Sequence, residues 1–128
     1  MEIIREREEE RRKVIKEARA WAKSLQLKST VILIGSYARG DFNLWSDVDI
    51  LLIAHFEGNV LQRLKNINHP PGYEILPLTP NEFYRLMKRR DPLALDALTY
   101  GVVLRDNLGI TKMLRKISKP TKQENVEI

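Results

Sequence analysis

Two short apolar runs constrain the fold of this chain more than any other feature. Thr30–Ile34 and Val48–Ile53 consist mainly of Val, Ile and Leu. Runs of five or six such residues are typical of strands that are covered on both faces. Such strands need helices on both sides, so the two runs predict a sheet enclosed by helical layers.

The first 27 residues predict a long helix in front of the sheet. Residues 3–27 show apolar side chains at helical spacing in their second half, whereas the first half is charged. Glu8 and Arg12 stand four residues apart, as do Glu9 and Lys13, and such pairs stabilise exposed helices without any partner. We therefore expect the first half of this helix to protrude into solvent.

The second half of the chain alternates further helices and strands. Their expected positions are a helix over 60–67, a strand over 73–77 ended by Pro77, a helix from the capping box Thr79–Glu82 to Arg89, a helix over 92–100 capped by Asp91, a strand over 102–104, and a last helix from Asp106 to about Ile117. This order predicts an α/β (α+β) fold, a small mixed sheet of three to four strands flanked by helices.

Length and composition restrict the remaining possibilities. The 128 residues predict a single domain over 1–128, with the N-terminal helix at 1–27 and a flexible tail at 118–128. Without cysteine there is no disulfide and no thiolate metal site. The charged N-terminus and the absence of a long apolar run predict a cytoplasmic protein without membrane contact. The net charge of +5 favours anionic partners in general.

The segment between the two apolar runs carries the chemistry. Residues 35–49 read GSYARGDFNLWSDVD. Asp47 and Asp49 are two apart at the start of a strand, so they project from one face with backbones about 6–7 Å apart. Their mutual repulsion would be relieved by a hard divalent cation such as Mg²⁺, which prefers carboxylate oxygens and substrate phosphates.

The turn at the start of the same segment complements the two carboxylates. Gly35 lacks a Cβ and lets the backbone approach a phosphate, and Ser36 offers a hydroxyl donor. A short helix over 36–39 would end at Gly40, and Arg39 could either face the phosphates or lie on the surface. Together the turn and the carboxylates predict a metal–triphosphate site.

The pattern GSYARGDFNLWSDVDILLI resembles the signature of the DNA polymerase β-like nucleotidyltransferase superfamily. The small size is similar to its minimal nucleotidyltransferases, including the antitoxins of HEPN-domain toxins. The resemblance covers about residues 30–77, and more loosely the region up to Asp106. It implies that Gly35 and Ser36, with Arg39 and Gly40 beside them, bind the nucleotide.

The same resemblance implies a metal centre of three carboxylates. Asp47 and Asp49 would hold two Mg²⁺ ions, with a third, catalytic carboxylate on a later strand. Glu74 is the acidic residue of the third predicted strand, one methylene longer than the usual Asp of the family. An exposed position on an edge strand is the alternative interpretation of Glu74.

The implied activity is transfer of AMP from ATP, or of another nucleotide, to a hydroxyl of a HEPN-type protein with release of pyrophosphate. Nucleic-acid acceptors are disfavoured because relatives that use them carry additional domains. The alternative is a non-catalytic antitoxin that neutralises its partner by binding. The oligomeric state and the preferred base stay open.

Other candidate residues carry less information. Trp45 could stack on a base or pack in the core. His55 and His69 have no metal-ligand spacing, and a basic cluster at 85–90 is also what a helix C-terminus favours.

Overall fold

A computed structural model describes residues 2–114 of the chain. Its elements are α1 (Glu2–Ser24), β1 (Thr30–Ile34), α2 (Gly35–Arg39), β2 (Val48–Ile53), α3 (Val60–Leu64), β3 (Tyr73–Leu78), α4 (Pro80–Lys88), α5 (Pro92–Tyr100) and β4 (Val102–Asp106). Residues 110–114 are helical as well.

The four strands form one mixed sheet in the order β3-β2-β1-β4. The central strand β1 is antiparallel to both of its neighbours, and β2 runs parallel to β3. In this register Ile34 lies opposite Asp49, and Asp49 lies opposite Glu74. The end of β1 and the beginnings of β2 and β3 therefore share one edge of the sheet.

Helices cover both faces of the sheet, as the two apolar runs predict. On one face α1 and α2 pack on alternate residues of the central strands, including Val31, Leu33, Ile50 and Leu52. On the other face α4 and α5 cover Ile32, Ile34, Leu51 and Ile53. The predicted α+β class, with a small mixed sheet flanked by helices, is confirmed.

The strand β3 continues through Pro77, although we expected the proline to end it. The Pro77 carbonyl accepts a hydrogen bond from Arg63 Nη1 at 3.1 Å, so that carbonyl points away from β2. The nitrogen and the carbonyl oxygen of one strand residue point to the same side of the strand. The nitrogen of Pro77 therefore also points away from β2, and its missing N–H removes no hydrogen bond between the two strands. Pro77 is tolerated inside β3 because β3 is an edge strand.

The first half of α1 is exposed over residues 3–10, as expected, but it does not stand free of the rest of the fold. Arg7 Nη2 donates to the Phe42 carbonyl at 2.5 Å. Arg11 Nε donates to the Tyr37 carbonyl at 2.7 Å, and its Nη2 to the Ala38 carbonyl at 2.8 Å. The charged half of α1 therefore supplies the donors for carbonyls at the end of α2.

Helix boundaries agree with the predicted ones where a side chain caps the helix. Thr79 and Glu82 form the capping box of α4, and Asp91 accepts the Leu93 N–H of α5. Asp106 accepts the N–H groups of Ile110 and Thr111, but the last helix begins at Ile110 and not directly after Asp106. Two helices end earlier than expected. Helix α1 ends at Ser24 instead of residue 27, and α3 ends at Leu64 instead of residue 67.

Two further expectations concern residues outside the described part of the chain. The end of the last helix near Ile117 and the tail at 118–128 lie outside residues 2–114. Within that part of the chain, no helix has both the length and the apolar content needed to cross a membrane.

Candidate active site

The candidate site lies at the sheet edge where β1 ends and where β2 and β3 begin. A cleft of about 580 Å³ opens there, between this edge and the first turns of α5. Its polar lining comes from Gly35, Arg39, Asp49, Glu74 and Asp96. Four of these residues are candidates from the sequence; Asp96 is not.

Gly35 lies directly beside the Asp49 carboxylate. Its φ of +76° lies in the left-handed region, and a Cβ at this position would stand 2.2 Å from Asp49 Oδ2. Any other residue would have to displace that carboxylate. The glycine therefore joins the turn after β1 directly to the acidic start of β2.

Asp49 and Glu74 bring two carboxylates together on the face of the sheet that α5 covers. Burial of Asp49 raises its pKa, and the charge of Glu74, the charge of Asp47 and a hydrogen bond shared with Glu74 raise it further. Arg39 acts in the opposite direction. A bound cation would relieve this repulsion between the carboxylates.

Asp47 stands apart from this pair. It precedes β2, is exposed, and contributes to the cleft through its charge, not as a lining side chain. Within residues 2–114, no three acidic or histidine side chains converge as a ready-made metal cluster. The donor pair of Asp49 and Glu74 nevertheless fits Mg²⁺, which usually takes one or two carboxylates and completes its shell with water and phosphate.

Arg39 lies at the rim of the cleft between two carboxylates. Its Nε donates to Asp41 Oδ2 at 3.2 Å, and its Nη1 donates to Asp96 Oδ1 at 3.2 Å. The hydrogen bonds to Asp41 and Asp96 raise the pKa of Arg39. Arg39 is thus solvent-accessible and also lines the cleft.

Asp96 is the residue that sequence reasoning missed. Its Oδ2 accepts the Gly35 N–H at 3.3 Å, while its Oδ1 pairs with Arg39. The sequence signal that could have identified Asp96 is its position on α5. Ala97 follows it directly and Leu93 precedes it by three residues, and Leu93 and Ala97 both face the sheet. A carboxylate at the edge of an apolar helix face needs a donor, and here it has two.

Ser36 and Gly40 belong to the turn beside the cleft and are not among the residues that line it. The Ser36 carbonyl accepts the N–H groups of Gly40 at 2.7 Å and Asp41 at 3.1 Å. Gly40, with a φ of +93°, ends α2 as expected. Their positions hold the turn that carries Gly35 and Arg39.

Trp45 does not pack in the core. It is 89% exposed, and its neighbour Leu44 is 94% exposed. Of its two interpretations, packing is therefore excluded. His55 is exposed, and His69 stacks near Tyr73 with ring centroids 6.5 Å apart.

The fold and the site together define a class of protein. In this class, a glycine turn and strand carboxylates meet at one edge of a small mixed sheet. The sequence model of the nucleotidyltransferase domain matches residues 11–93, more than half of the chain. The chain belongs to this nucleotidyltransferase domain family, which confirms the resemblance seen in the sequence. No curated protein matches the chain significantly.

Solved structures with the same fold include relatives of this class. A candidate nucleotidyltransferase from Sulfolobus solfataricus has a TM-score of 0.53 and 24% identity, covering 76% of this chain and 84% of that one. A toxin–antitoxin structure with AMP-PNP has a TM-score of 0.52 and 15% identity, covering 86% and 87%. A mutant of the toxin–antitoxin MntA–HpeT has a TM-score of 0.51 and 12% identity, with the same coverage of 86% and 87%. At these identities the likeness shows the fold.

Proposed function

We propose that the chain is a metal-dependent nucleotidyltransferase that transfers AMP from ATP to a hydroxyl of a partner protein. The observation that supports this proposal is the close approach of Gly35 to Asp49, since the turn that would bind phosphate then lies beside the paired carboxylates of Asp49 and Glu74. Donors for phosphate and ligands for a cation are thus adjacent in one cleft.

The proposed reaction exchanges one bond at the α-phosphorus for another. The acceptor oxygen forms a bond to the α-phosphorus, and the bond to the oxygen that bridges the α- and β-phosphorus breaks. That oxygen keeps the electron pair and leaves with pyrophosphate. Glu74, next to Asp49 in the sheet, is positioned to accept the proton of the acceptor hydroxyl.

The residues of this chain would divide the work of binding. Gly35, Ser36 and Arg39 would bind the β- and γ-phosphates, and Gly40 would end the turn that carries them. Asp47, Asp49 and Glu74 would hold Mg²⁺, two ions in the proposed arrangement. When bound, the metal would lower the pKa of the acceptor hydroxyl and neutralise charge on the leaving pyrophosphate.

A protein acceptor of the HEPN toxin type is the proposed partner. Two structures of similar fold are toxin–antitoxin structures, one of them with AMP-PNP. We therefore place the acceptor hydroxyl on a separate protein that binds beside the cleft.

A second candidate is a non-catalytic antitoxin that neutralises its partner by covering it. The exposed Leu44 and Trp45 favour a protein-binding role for the loop before β2. This function needs no phosphate contact and no metal, so the two candidates separate in a labelling experiment.

That experiment incubates the protein with α-labelled ATP, Mg²⁺ and the product of the adjacent gene. We expect label on the partner, and its loss in the double variant Asp47→Asn with Asp49→Asn. Glu57→Gln removes an exposed carboxylate in the loop before α3 and serves as the matched control with normal transfer. Transfer by the double variant would exclude the proposed site, and tight partner binding without any transfer would favour the non-catalytic antitoxin.

A further inference from the structure

Asp96 occupies the donors that the proposed function assigns to phosphate. One of its oxygens accepts the Gly35 N–H at 3.3 Å, and the other pairs with the Arg39 guanidinium at 3.2 Å. The carboxylate is fixed there from α5, an element that belongs neither to the glycine turn nor to the acidic strands. A resident anion thus takes the two groups that an incoming phosphate needs.

The charge of the cleft amplifies this effect. Among residues 2–114, its lining contains the carboxylates of Asp49, Glu74 and Asp96 and one cation, Arg39. A phosphate that displaces Asp96 leaves that carboxylate facing the ligand without a counter-charge. Unpaired like charges at contact distance cost far more than a solvated surface pair.

Resting on the proposed function, we propose that Asp96 makes the cleft selective for metal-bound over metal-free nucleoside triphosphate. A metal-free triphosphate has to take Arg39 and the Gly35 N–H from Asp96 and then meets three carboxylates. A metal-bound triphosphate brings the cation that Asp49 and Glu74 can ligate, and it carries less negative charge toward Asp96. The residue therefore acts on the choice of ligand, as a specificity-determining residue.

The neighbouring Asp41 offers a matched comparison. It also pairs with Arg39 at 3.2 Å, but its side chain is 63% exposed and it has no contact with the Gly35 N–H. Asp41→Asn and Asp96→Asn remove the same charge from the same guanidinium. The two variants differ in whether the charge that is removed also faces the Gly35 N–H inside the cleft.

The test measures binding of α,β-methylene-ATP by calorimetry, once with excess Mg²⁺ and once with EDTA, for the wild type and for both variants. We expect Asp96→Asn to strengthen metal-free binding about tenfold and metal-bound binding by less than about threefold. Asp41→Asn should leave the ratio of the two affinities within about twofold of the wild type. Asp96→Glu keeps the charge, and we expect it to keep the wild-type preference.

Each outcome bears on a different conclusion. If the wild type binds the metal-bound analogue and Asp96→Asn keeps the wild-type ratio, the role of Asp96 is overturned while the proposed function stands. If the wild type binds the analogue in neither condition, both are overturned. A loss of preference in both Asp96→Asn and Asp96→Glu would also overturn the selectivity role, because it would reflect altered structure and not charge.

Discussion

At Gly35 both the backbone conformation and the neighbouring Asp49 carboxylate require a glycine. The residue has a φ of +76°, which glycine adopts readily, and it leaves no room for a Cβ beside Asp49 Oδ2. The left-handed turn allows the chain to leave β1 and begin α2 at once. The missing side chain allows the Asp49 carboxylate to lie against that turn.

Gly35→Ala and Gly109→Ala separate the effect of the backbone conformation from the effect of the contact with Asp49. Gly109 has a φ of +72° and open space around the position of its Cβ, so both variants should lose about 1–2 kcal/mol of stability from the backbone conformation. Only Gly35→Ala displaces Asp49, and we expect it to weaken triphosphate binding by more than about tenfold. Denaturant unfolding and nucleotide titration measure the two effects. Equal nucleotide affinity of the two variants would contradict the role of Gly35.

Asp49→Asn should stabilise the metal-free protein. Burial and the neighbouring charges of Glu74 and Asp47 raise the pKa of Asp49 above its ordinary value. Ionisation of this carboxyl at neutral pH is therefore less favourable in the folded chain than in the unfolded chain, and the amide removes that cost. We expect the melting temperature in EDTA to rise by about 2–5 °C. A lower melting temperature than the wild type in EDTA would contradict this account.

Sequence reasoning reached most side chains of the cleft because they lie close together along the chain or on strands. Gly35, Arg39 and Asp49 belong to one continuous segment, and Glu74 follows from the alternation of the third strand. Asp96 comes from a helix 61 residues beyond Gly35. Its place in the cleft depends on how α5 packs across the sheet, which helical periodicity alone does not determine.

At the scale of elements, one ion pair joins α3, β3 and the start of α4. Arg63 Nη1 donates to Glu82 Oε1 at 2.6 Å and to the Pro77 carbonyl at 3.1 Å. Glu82 also accepts the Thr79 N–H at 2.8 Å in the capping box. The Arg63 side chain is only 11% exposed, so this pair is better shielded from water than a surface pair.

The Arg63–Glu82 pair predicts a dependence of stability on pH. The hydrogen bond from Arg63, followed by that from the Thr79 backbone, lowers the pKa of Glu82 to about 2. The contribution is therefore fully present above about pH 4.5, the value of an ordinary glutamate, and is lost as the pH falls through about 2.

Glu82→Gln tests this dependence, since it keeps an acceptor for the Thr79 N–H and removes the charge. We expect a loss of about 1 kcal/mol at pH 7, a value reduced for solvent screening of the half-exposed carboxylate, and almost none near pH 2. Glu8→Gln breaks the exposed Arg12–Glu8 pair of 3.9 Å and should change stability by less than about 0.5 kcal/mol. Denaturant titration at several pH values measures both, and a pH-independent loss for Glu82→Gln would contradict the assignment.

Elements were easiest to predict where the physical signal is local. The runs over 30–34 and 48–53 and the capping side chains of α4 and α5 match the observed boundaries. Pro77 and the start of α1 could not be placed in the same way. Their roles depend on Arg63 reaching the β3 edge and on Arg7 and Arg11 reaching α2, and these contacts join distant parts of the chain.

At the scale of the whole molecule, the sheet separates the two helical layers. The cleft lies on the side of α5, whereas α1 packs on the opposite face. A ligand bound in the cleft would contact the starts of β2 and β3 as well as α2 and α5. Its binding would therefore stabilise this whole end of the sheet relative to the unfolded chain.

Metal-bound triphosphate should raise the stability of the whole chain in proportion to its occupancy. At a ligand concentration about 100 times Kd, we expect a gain of about 2.7 kcal/mol in the free energy of unfolding. Asp49→Asn should show little of this gain, although it starts from a higher melting temperature. Thermal shift over a ligand series measures both, and an equal shift in the variant would exclude Asp49 as a ligand of the bound metal.

Pro77 has a consequence for assembly as well as for the strand that contains it. At this point the outer side of β3 offers no N–H, and its carbonyl is already taken by Arg63. A strand from another molecule would find neither of the backbone groups that it needs for pairing there. This position of the β3 edge therefore disfavours fibril-like stacking of copies.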